Sequence, residues 1–249
     1  MKFPPVIGHR GVRGYAPENT LAGFHTAADM GVEMVEFDVK LTKDGVPIVF
    51  HDSNFKRITG LNAKVADHTL DQIQEMDAGR HFGESFIGEP IPTLEDVLDV
   101  CIERSLAVNI EIKPCKGREV ETAEAVLDEA TRTWPDDLPL PLISSFKYPC
   151  LEAALNMAPG WPRGFLIDES KDRDPNWRKM FDYIQATTIN CNGNFVNDEM
   201  MAEYLECEVP VLAYTINDPR RALELFDMGV TSVFSDEPDL IWDAIGEYS

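Results

Sequence analysis

Short runs of β-branched and apolar residues alternate with amphipathic stretches along almost the whole chain, the pattern of repeated βα units and a parallel sheet. The spacing predicts strands at Val6–His9, Met34–Val39, Ala107–Ile112, Leu142–Ser145, Gly164–Ile167, Thr187–Cys191, Val211–Ile216 and Ser232–Ser235. Helical periodicity falls near 20–30, 93–105, 118–133, 148–158, 176–184, 198–206 and 218–228. Thr93, followed by Glu95 and Asp96, has the chemistry of a helix cap, as do Asn197 and Asn217, each just before an acid. In Pro17-Glu18-Asn19-Thr20, Asn19 reads as the cap of the first helix and Glu18 as a group that orients Arg10 or a histidine. Eight strands separated by helices predict a closed (β/α)8 TIM barrel. An open doubly wound sheet is the alternative, but no glycine-rich phosphate loop marks a switch point.

A further strand-like run, Val46–Phe50, follows the second strand through Lys43-Asp44-Gly45. Asp-Gly is a favoured two-residue hairpin turn, and that turn would set Asp38 opposite His51 and Glu36 opposite Ser53. The hairpin then rises over the barrel without adding to its strand count. Residues 53–91 carry no βα repeat but do carry Phe55, His68, His81, Phe82 and Phe86. They are read as a small insertion after the hairpin, within a single barrel domain spanning 1–249.

The length of 249 residues suits one such barrel, and 44% apolar residues suffice for a sizeable core. No apolar run approaches the ~20 residues of a membrane span. The chain enters its first strand by Val6, which leaves no room for a signal peptide, so a cytoplasmic location is expected. Five cysteines, odd in number and without a CxxC pair, fit reduced and mostly buried thiols. The net charge of −22 speaks against nucleic acid and against stable anchoring on an anionic membrane. An anionic small molecule is admitted only where a bound cation or local Arg and Lys reverse the field. Whether the chain is a monomer or a homodimer stays open.

In this fold the reacting groups stand at the C-terminal ends of strands. Those ends read His9-Arg10-Gly11, Glu36-Phe37-Asp38, His51-Asp52 after the hairpin, and Glu111-Ile112-Lys113. Glu36 and Asp38, two apart on a strand, share a face, and Glu111 comes from the neighbouring strand. Three crowded carboxylates would repel without a cation between them, and oxygen-only ligands favour a hard ion, Mg²⁺ or Ca²⁺, with Mn²⁺ as a further candidate. His9 and His51 are the proton carriers whose titration lies near neutral pH, while His25, His68 and His81 lack acidic company and read as structural. Arg10 can grip a phosphate with two parallel hydrogen bonds, and Lys113 adds a point charge. Such a mouth suits cleavage of a phosphodiester, one histidine activating the attacking oxygen and the other protonating the departing alcohol. Direct attack by water and attack by a substrate hydroxyl through a cyclic phosphate both remain open.

These motifs, with Pro17-Glu18-Asn19-Thr20, Thr42-Lys43-Asp44-Gly45, Ser145-Phe146, the run Val211–Asn217, and Gly229-Val230 through Ser235-Asp236-Glu237-Pro238, resemble the glycerophosphodiester phosphodiesterase family in order over nearly the whole chain. The resemblance implies a metal held by Glu36, Asp38 and Glu111, an acid/base pair at His9 and His51, and phosphate contacts from Arg10 and Lys113. It further implies an inserted subdomain after His51-Asp52. The implied products are glycerol 3-phosphate and an alcohol such as choline or ethanolamine. Tyr214 stands in the substrate pocket where many relatives carry Trp, which alters the pocket wall; Arg57-Ile58-Thr59 replaces an Arg-Thr pair. Two rivals are a lysophospholipase D, for which Phe55, Phe82 and Phe86 would supply an apolar lip, and a non-catalytic barrel that binds phosphorylated metabolites.

Overall fold

The strand β1 (Val6–His9) is paired on both sides, in parallel with the second strand and with the last, and this double pairing closes the sheet. The computed structural model describes residues 2–171 and 174–248. Around the ring, β1 is followed by β2 (Met34–Leu41), β4 (Ala107–Ile112), β5 (Leu142–Ser145), β6 (Arg163–Ile167), β7 (Thr188–Asn192), β8 (Val211–Tyr214) and β9 (Ser232–Ser235), all parallel. The ninth strand, β3 (Pro47–Val49), is antiparallel to β2 and stands outside the closure. The chain is thus an eight-stranded (β/α)8 barrel, as expected.

Alternation along each strand sorts the side chains. Val35, Phe37, Val39, Val108, Ile110 and Ile112 face outward and bury against helices, among them α1 (Leu21–Asp29), α4 (Leu94–Glu103) and α5 (Glu119–Thr133). Phe24 of α1 meets Phe37 edge-on at 5.5 Å. Inside the ring, Ile7, Met34, Leu142, Leu212 and Phe234 form an apolar cluster near the strand starts. The polar residues two and four positions further along β2 and β4 lie above it, so chemistry is confined to the C-terminal mouth.

Thr93 caps α4 with a reciprocal box, its Oγ1 accepting from Asp96 N at 3.2 Å while Asp96 Oδ2 accepts from Thr93 N at 3.0 Å. Asn197 caps α8 (Asp198–Leu205) as expected, but Asn217 does not cap α9 (Pro219–Asp227). Asp218 does so, because Asn217 is drawn to Asp236 at the barrel rim, 2.9 Å away. Asn19 is likewise not the cap of α1. Thr20 takes that role, its Oγ1 accepting from Gly23 N, and Asn19 turns its amide inward. A final helix, α10 (Pro238–Tyr248), packs against α9 and β1 and was not marked by the sequence pattern. The remaining barrel helices are α6 (Tyr148–Met157) and α7 (Trp177–Tyr183). No helix among the described residues is long and apolar enough to cross a membrane. All five cysteines are free, and all but Cys207 are buried.

The β2–β3 register departs by one residue from the expected one. Val39 faces Val49, Lys40 faces Ile48, and Phe50 N donates to Asp38 O at 2.8 Å, so Phe50 rather than His51 lies across from Asp38. The cause is the turn. Thr42 N donates to Val46 O and Gly45 N to Thr42 O, leaving a three-residue loop, Lys43-Asp44-Gly45, with Gly45 at φ +84°. This is a three-residue turn closed by a left-handed glycine, not the two-residue turn that Asp-Gly suggests. His51 still reaches the mouth because pairing ends at Val49 and the chain bends free of the pleat.

Residues 53–91 hold α2 (Lys56–Thr59), α3 (Leu70–Gln74) and two 3-10 turns. Ile48, Phe50, Phe55, Ile58, Val65 and Ile73 form a cluster separate from the barrel core. Phe55 is fully buried there and supplies no lip; Phe82 packs edge-on against Phe86. Asp44 ties the hairpin loop to this segment by accepting from Leu70 N at 3.0 Å.

The turn geometry carries a test. Gly45→Ala puts a Cβ in the left-handed region and should cost about 1–2 kcal/mol in urea unfolding. Gly160→Ala, at a site with no positive φ and no atom near the added carbon, should be close to neutral. Equal stability of the two variants would rule out the three-residue turn.

Candidate active site

Barrel alternation sets Glu36 and Asp38 of β2 on the inner face, and the β2–β4 register places Glu111 directly beside Asp38. One carboxylate oxygen from each lies within 4.8 Å of the others, and all three residues are buried. Lys113 Nζ donates to Asp38 Oδ1 (3.2 Å) and Glu111 Oε1 (3.0 Å). Asn19 Nδ2 donates to Asp38 Oδ2 at 2.9 Å, and Arg10 Nε lies 3.2 Å from the same oxygen. Glu36 has no such cation of its own and accepts instead from the Arg10 backbone N–H at 3.1 Å. Arg10 can present that N–H because it adopts φ +53°, followed by Gly11 at φ +85°.

The electrostatic consequences differ among the three. Burial, then the charges of Asp38 and Glu111, push Glu36 well above the usual carboxylate range. Burial also raises Glu111, against the pull of Lys113. Burial acts the same way on Asp38, but Lys113 and Arg10 outweigh it and hold that carboxyl well below its ordinary value. Among the described residues, Arg10 and Lys113 are the Arg and Lys side chains within 4.0 Å of the three carboxylates. A hard divalent ion fits this all-oxygen set, since it would satisfy Glu36, the member left without a cationic partner.

Each histidine has a carboxylate behind it. His9 Nδ1 pairs with Asp236 Oδ1 at 2.6 Å, and its Nε2 stands 3.9 Å from Glu36 Oε2. His51 Nδ1 pairs with Asp52 Oδ1 at 2.5 Å. In both rings Nδ1 is fixed, leaving Nε2 for chemistry. Burial pulls the His9 ring below the ordinary imidazole value, and Asp236 offsets only part of this. Burial, with Lys113 and Arg10, takes His51 down to about 4 against the opposing charge of Asp38.

A chain of ion pairs joins the two dyads. Asp52 Oδ2 accepts from Arg57 Nε (2.8 Å), and Arg57 forks onto both oxygens of Glu18 at 2.7 Å. Glu18 also binds Arg10 (2.8 Å) and Arg13 (3.1 Å), and Arg13 lies 3.8 Å from Asp236. Burial opposes the charge on Glu18, yet the Arg57 and Arg10 guanidinium groups hold its carboxyl at about 2. The expectation that Glu18 orients Arg10 is met. Arg57, Arg13 and the Asn19 contact were missed, and Asp236 was quoted only for a family likeness. Asp236 follows the end of β9, so the strand-end rule could have found it. Nothing in the sequence brings Arg57 to Glu18.

Of these groups, His9, Arg10, Glu36, His51, Glu111 and Lys113 line a cavity of about 370 Å³. Asn109, two residues before Glu111 on the same face of β4, joins them there. Phe146, Leu166, Phe195, Tyr214 and Phe234 add apolar and aromatic surface to the same cavity. Tyr214 meets Phe146 edge-on at 5.8 Å, and its hydroxyl donates to Ile167 O at 2.5 Å, so its polar tip is already engaged. Lys113 Nζ lies 5.7 Å over the Phe146 ring. His68 sits apart, bonded to Lys64 O and packed on Phe55.

The sequence profile of the glycerophosphoryl diester phosphodiesterase family matches residues 9–240. A phosphodiesterase of Oleispira antarctica, solved with its product sn-glycerol-3-phosphate, is 36% identical; the match covers 98% of this chain and 97% of that one, with a TM-score of 0.92. The glycerophosphodiester phosphodiesterase of Thermotoga maritima is 27% identical with a TM-score of 0.76, covering 98% and 99%. A glycerophosphodiester phosphodiesterase of Bacillus subtilis is 31% identical over 248 residues, covering 94% of this chain and 84% of that protein. Profile, sequence and fold agree over nearly the full length, and this chain belongs to the glycerophosphoryl diester phosphodiesterase family of phosphoric diester hydrolases.

Proposed function

We propose that this protein hydrolyses a glycerophosphodiester to sn-glycerol 3-phosphate and an alcohol, with His9 and His51 as acid/base pair and one divalent cation, Mg²⁺ or Ca²⁺ with Mn²⁺ also fitting. The observation that carries this reading is the buried carboxylate triad flanked, in one cavity, by two histidines that are each fixed at Nδ1 by a carboxylate. The bound product of the Oleispira relative supports the same substrate class.

Glu36, Asp38 and Glu111 would hold the cation. When bound it neutralises phosphate oxygens and stabilises the extra charge of the five-coordinate transition state. Arg10 and Lys113 bind and orient the phosphate from the cationic side. Both imidazoles rest neutral at pH 7 because burial disfavours their cations. One therefore takes a proton from the attacking oxygen at Nε2. The other acquires a proton as the anionic substrate arrives and delivers it to the leaving alcohol. Asp236 and Asp52 keep each ring turned the right way and stabilise its cation. Tyr214 and Phe146 form the apolar wall against which the substrate's alcohol rests. Residues 53–91 are read as an insertion in the single barrel domain 1–249, and the insertion supplies Arg57.

A panel of glycerophosphodiesters with a glycerol-phosphate readout tests the reading, with a long-chain lysolipid as comparison. Preference for the lysolipid would favour the lysophospholipase D reading, and binding without turnover a phosphometabolite binder. Excess EDTA should abolish turnover, and Mg²⁺, Mn²⁺ or Ca²⁺ should restore it. Glu111→Gln should need higher cation concentrations and lose the cation-dependent rise in melting temperature. Full activity of a preparation shown by elemental analysis to be metal-free would refute the metal site.

His9→Ala and His51→Ala should fold but lose roughly 10²–10⁴-fold in turnover on alkyl leaving groups. An aryl leaving group, which needs no protonation, should restore much of the rate to one of them. Equal losses on the aryl ester would show that the two rings do not divide acid and base.

The His51 value also fixes a sign. Its folded pKa of about 4 lies below the ordinary 6.5, so the unfolded chain binds the proton more readily. The stabilisation is complete above pH 6.5 and is lost as pH falls toward 4. Urea midpoints of His51→Asn should therefore fall less than wild type across that window, the remaining slope coming in part from His9. Parallel curves for the two proteins would contradict a depressed His51.

A further inference from the structure

Alternation on β2 places Lys40 two residues beyond Asp38 on the same inner face. It is 2% exposed. Its Nζ donates to Lys113 O at 2.8 Å and stands 3.5 Å from Ser53 Oγ. Among the described residues no carboxylate oxygen lies within 4.0 Å of it, and Asp38 spends its oxygens on Lys113, Arg10 and Asn19. A buried ammonium with only neutral partners is an expensive arrangement that a fold rarely retains without use.

Lys40 forms part of the wall of a basin of about 840 Å³ together with Lys56, Arg57 and Lys113. Ser53, Asn54 and Asn62 add hydroxyl and amide groups, and the wall also holds one carboxylate, Asp52, which is paired with Arg57 and His51. In a chain of net charge −22 this is a local reversal of field. Arg57 is committed to Glu18 and Asp52, and Lys113 to Asp38 and Glu111. Lys40 and the exposed Lys56 have no ionic partner among the described residues. Two cations without a carboxylate oxygen inside 4.0 Å, beside neutral donors, match one phosphomonoester, whose charge is about −1.5 to −2 at neutral pH. The basin shares His51 and Lys113 with the catalytic cavity, so a group seated in it can belong to the molecule being cut.

We propose that this basin is a second phosphate site, formed by Lys40 and Lys56, for a phosphomonoester carried on the leaving alcohol. The preferred substrates would then be glycerophosphodiesters of phosphorylated alcohols. This rests on the hydrolytic reading above.

The test compares kcat/KM, with Mg²⁺ present, for glycerophosphoglycerol and for its analogue phosphorylated on the leaving glycerol. Wild type should prefer the phosphorylated diester by roughly 10- to 100-fold, the worth of a charge-assisted contact. Lys40→Met, which keeps the length and removes the charge, should bring that ratio near one. Lys56→Ala, a change at an exposed position, should lower it several-fold and does not depend on repacking the barrel. A ratio near one in wild type, or a ratio unchanged in both variants, overturns the assignment to the substrate. Free phosphate as the occupant would instead show as a saturable effect of inorganic phosphate on glycerophosphoglycerol turnover that Lys40→Met abolishes. If neither diester is cut, the hydrolytic reading fails by itself. The basin is then judged by whether inorganic phosphate raises the unfolding midpoint of wild type but not of Lys40→Met; no such difference overturns it too.

Discussion

Three carboxylates sharing one buried space, with oxygens inside 4.8 Å, form the constraint to which the rest of the mouth responds. Like charges at that separation in a poorly solvated interior cannot all stay ionised without counter-charge. Lys113 and Arg10 provide part of it and spend it unevenly, so that Asp38 is held ionised while Glu36 and Glu111 are pushed upward. That unevenness leaves a cluster of oxygens still short of positive charge, the condition in which a hard cation binds strongly. The same constraint explains the backbone at Arg10. Its left-handed φ turns the N–H onto Glu36 and frees the guanidinium for Asp38 and Glu18, a strained conformation retained because three acids depend on it.

A polar barrel interior is tolerable only because the apolar work is done elsewhere. The outward faces of β2 and β4 and the helices around them form the main core, and five apolar side chains close the bottom of the ring. The acids therefore occupy a layer that stability does not need to be apolar. The ion-pair chain from His51 through Asp52, Arg57, Glu18 and Arg13 to Asp236 and His9 runs around this layer. Its links come from β1 and the loop after it, the hairpin return, the segment 53–91 and the end of β9. Segments far apart in sequence are thus held to a common geometry by charge.

Much of this was legible from residues alone. Strand periodicity placed all eight barrel strands to within two residues, and the strand-end rule collected His9, Arg10, Glu36, Asp38, His51, Glu111 and Lys113, which the fold does bring together. Errors arose where two local solutions compete. Asp-Gly serves a two-residue and a three-residue turn equally well; the bonds of the Thr42 hydroxyl inside the loop and the contact of Asp44 with Leu70 go with the longer one, which shifts the register by one. Asn19 and Thr20 are both good caps. Asp38 claims the Asn19 amide, so the threonine caps instead. Arg57 carries no local sign of its role, because its partners Glu18 and Asp52 meet it only once the hairpin has folded over the barrel. Periodicity reports what a segment buries; it does not report which charged groups a fold will set face to face.

The overall charge sharpens the point. A protein at −22 repels phosphodiesters over most of its surface, so affinity for such a substrate must come from a field confined to the mouth. Arg10, Arg13, Arg57, Lys40, Lys56 and Lys113 concentrate there, six of the 22 basic residues. Because screening in water acts within about 10 Å at ordinary salt, the distant surface acids barely weaken that local field, whereas the buried carboxylates beside the site do. Their neutralisation governs whether the mouth attracts or repels an anion. On the metal-dependent reading proposed above, metal ligation and substrate recruitment would be one electrostatic event: the groups that could hold the cation are the same groups whose charge would otherwise keep the phosphate out.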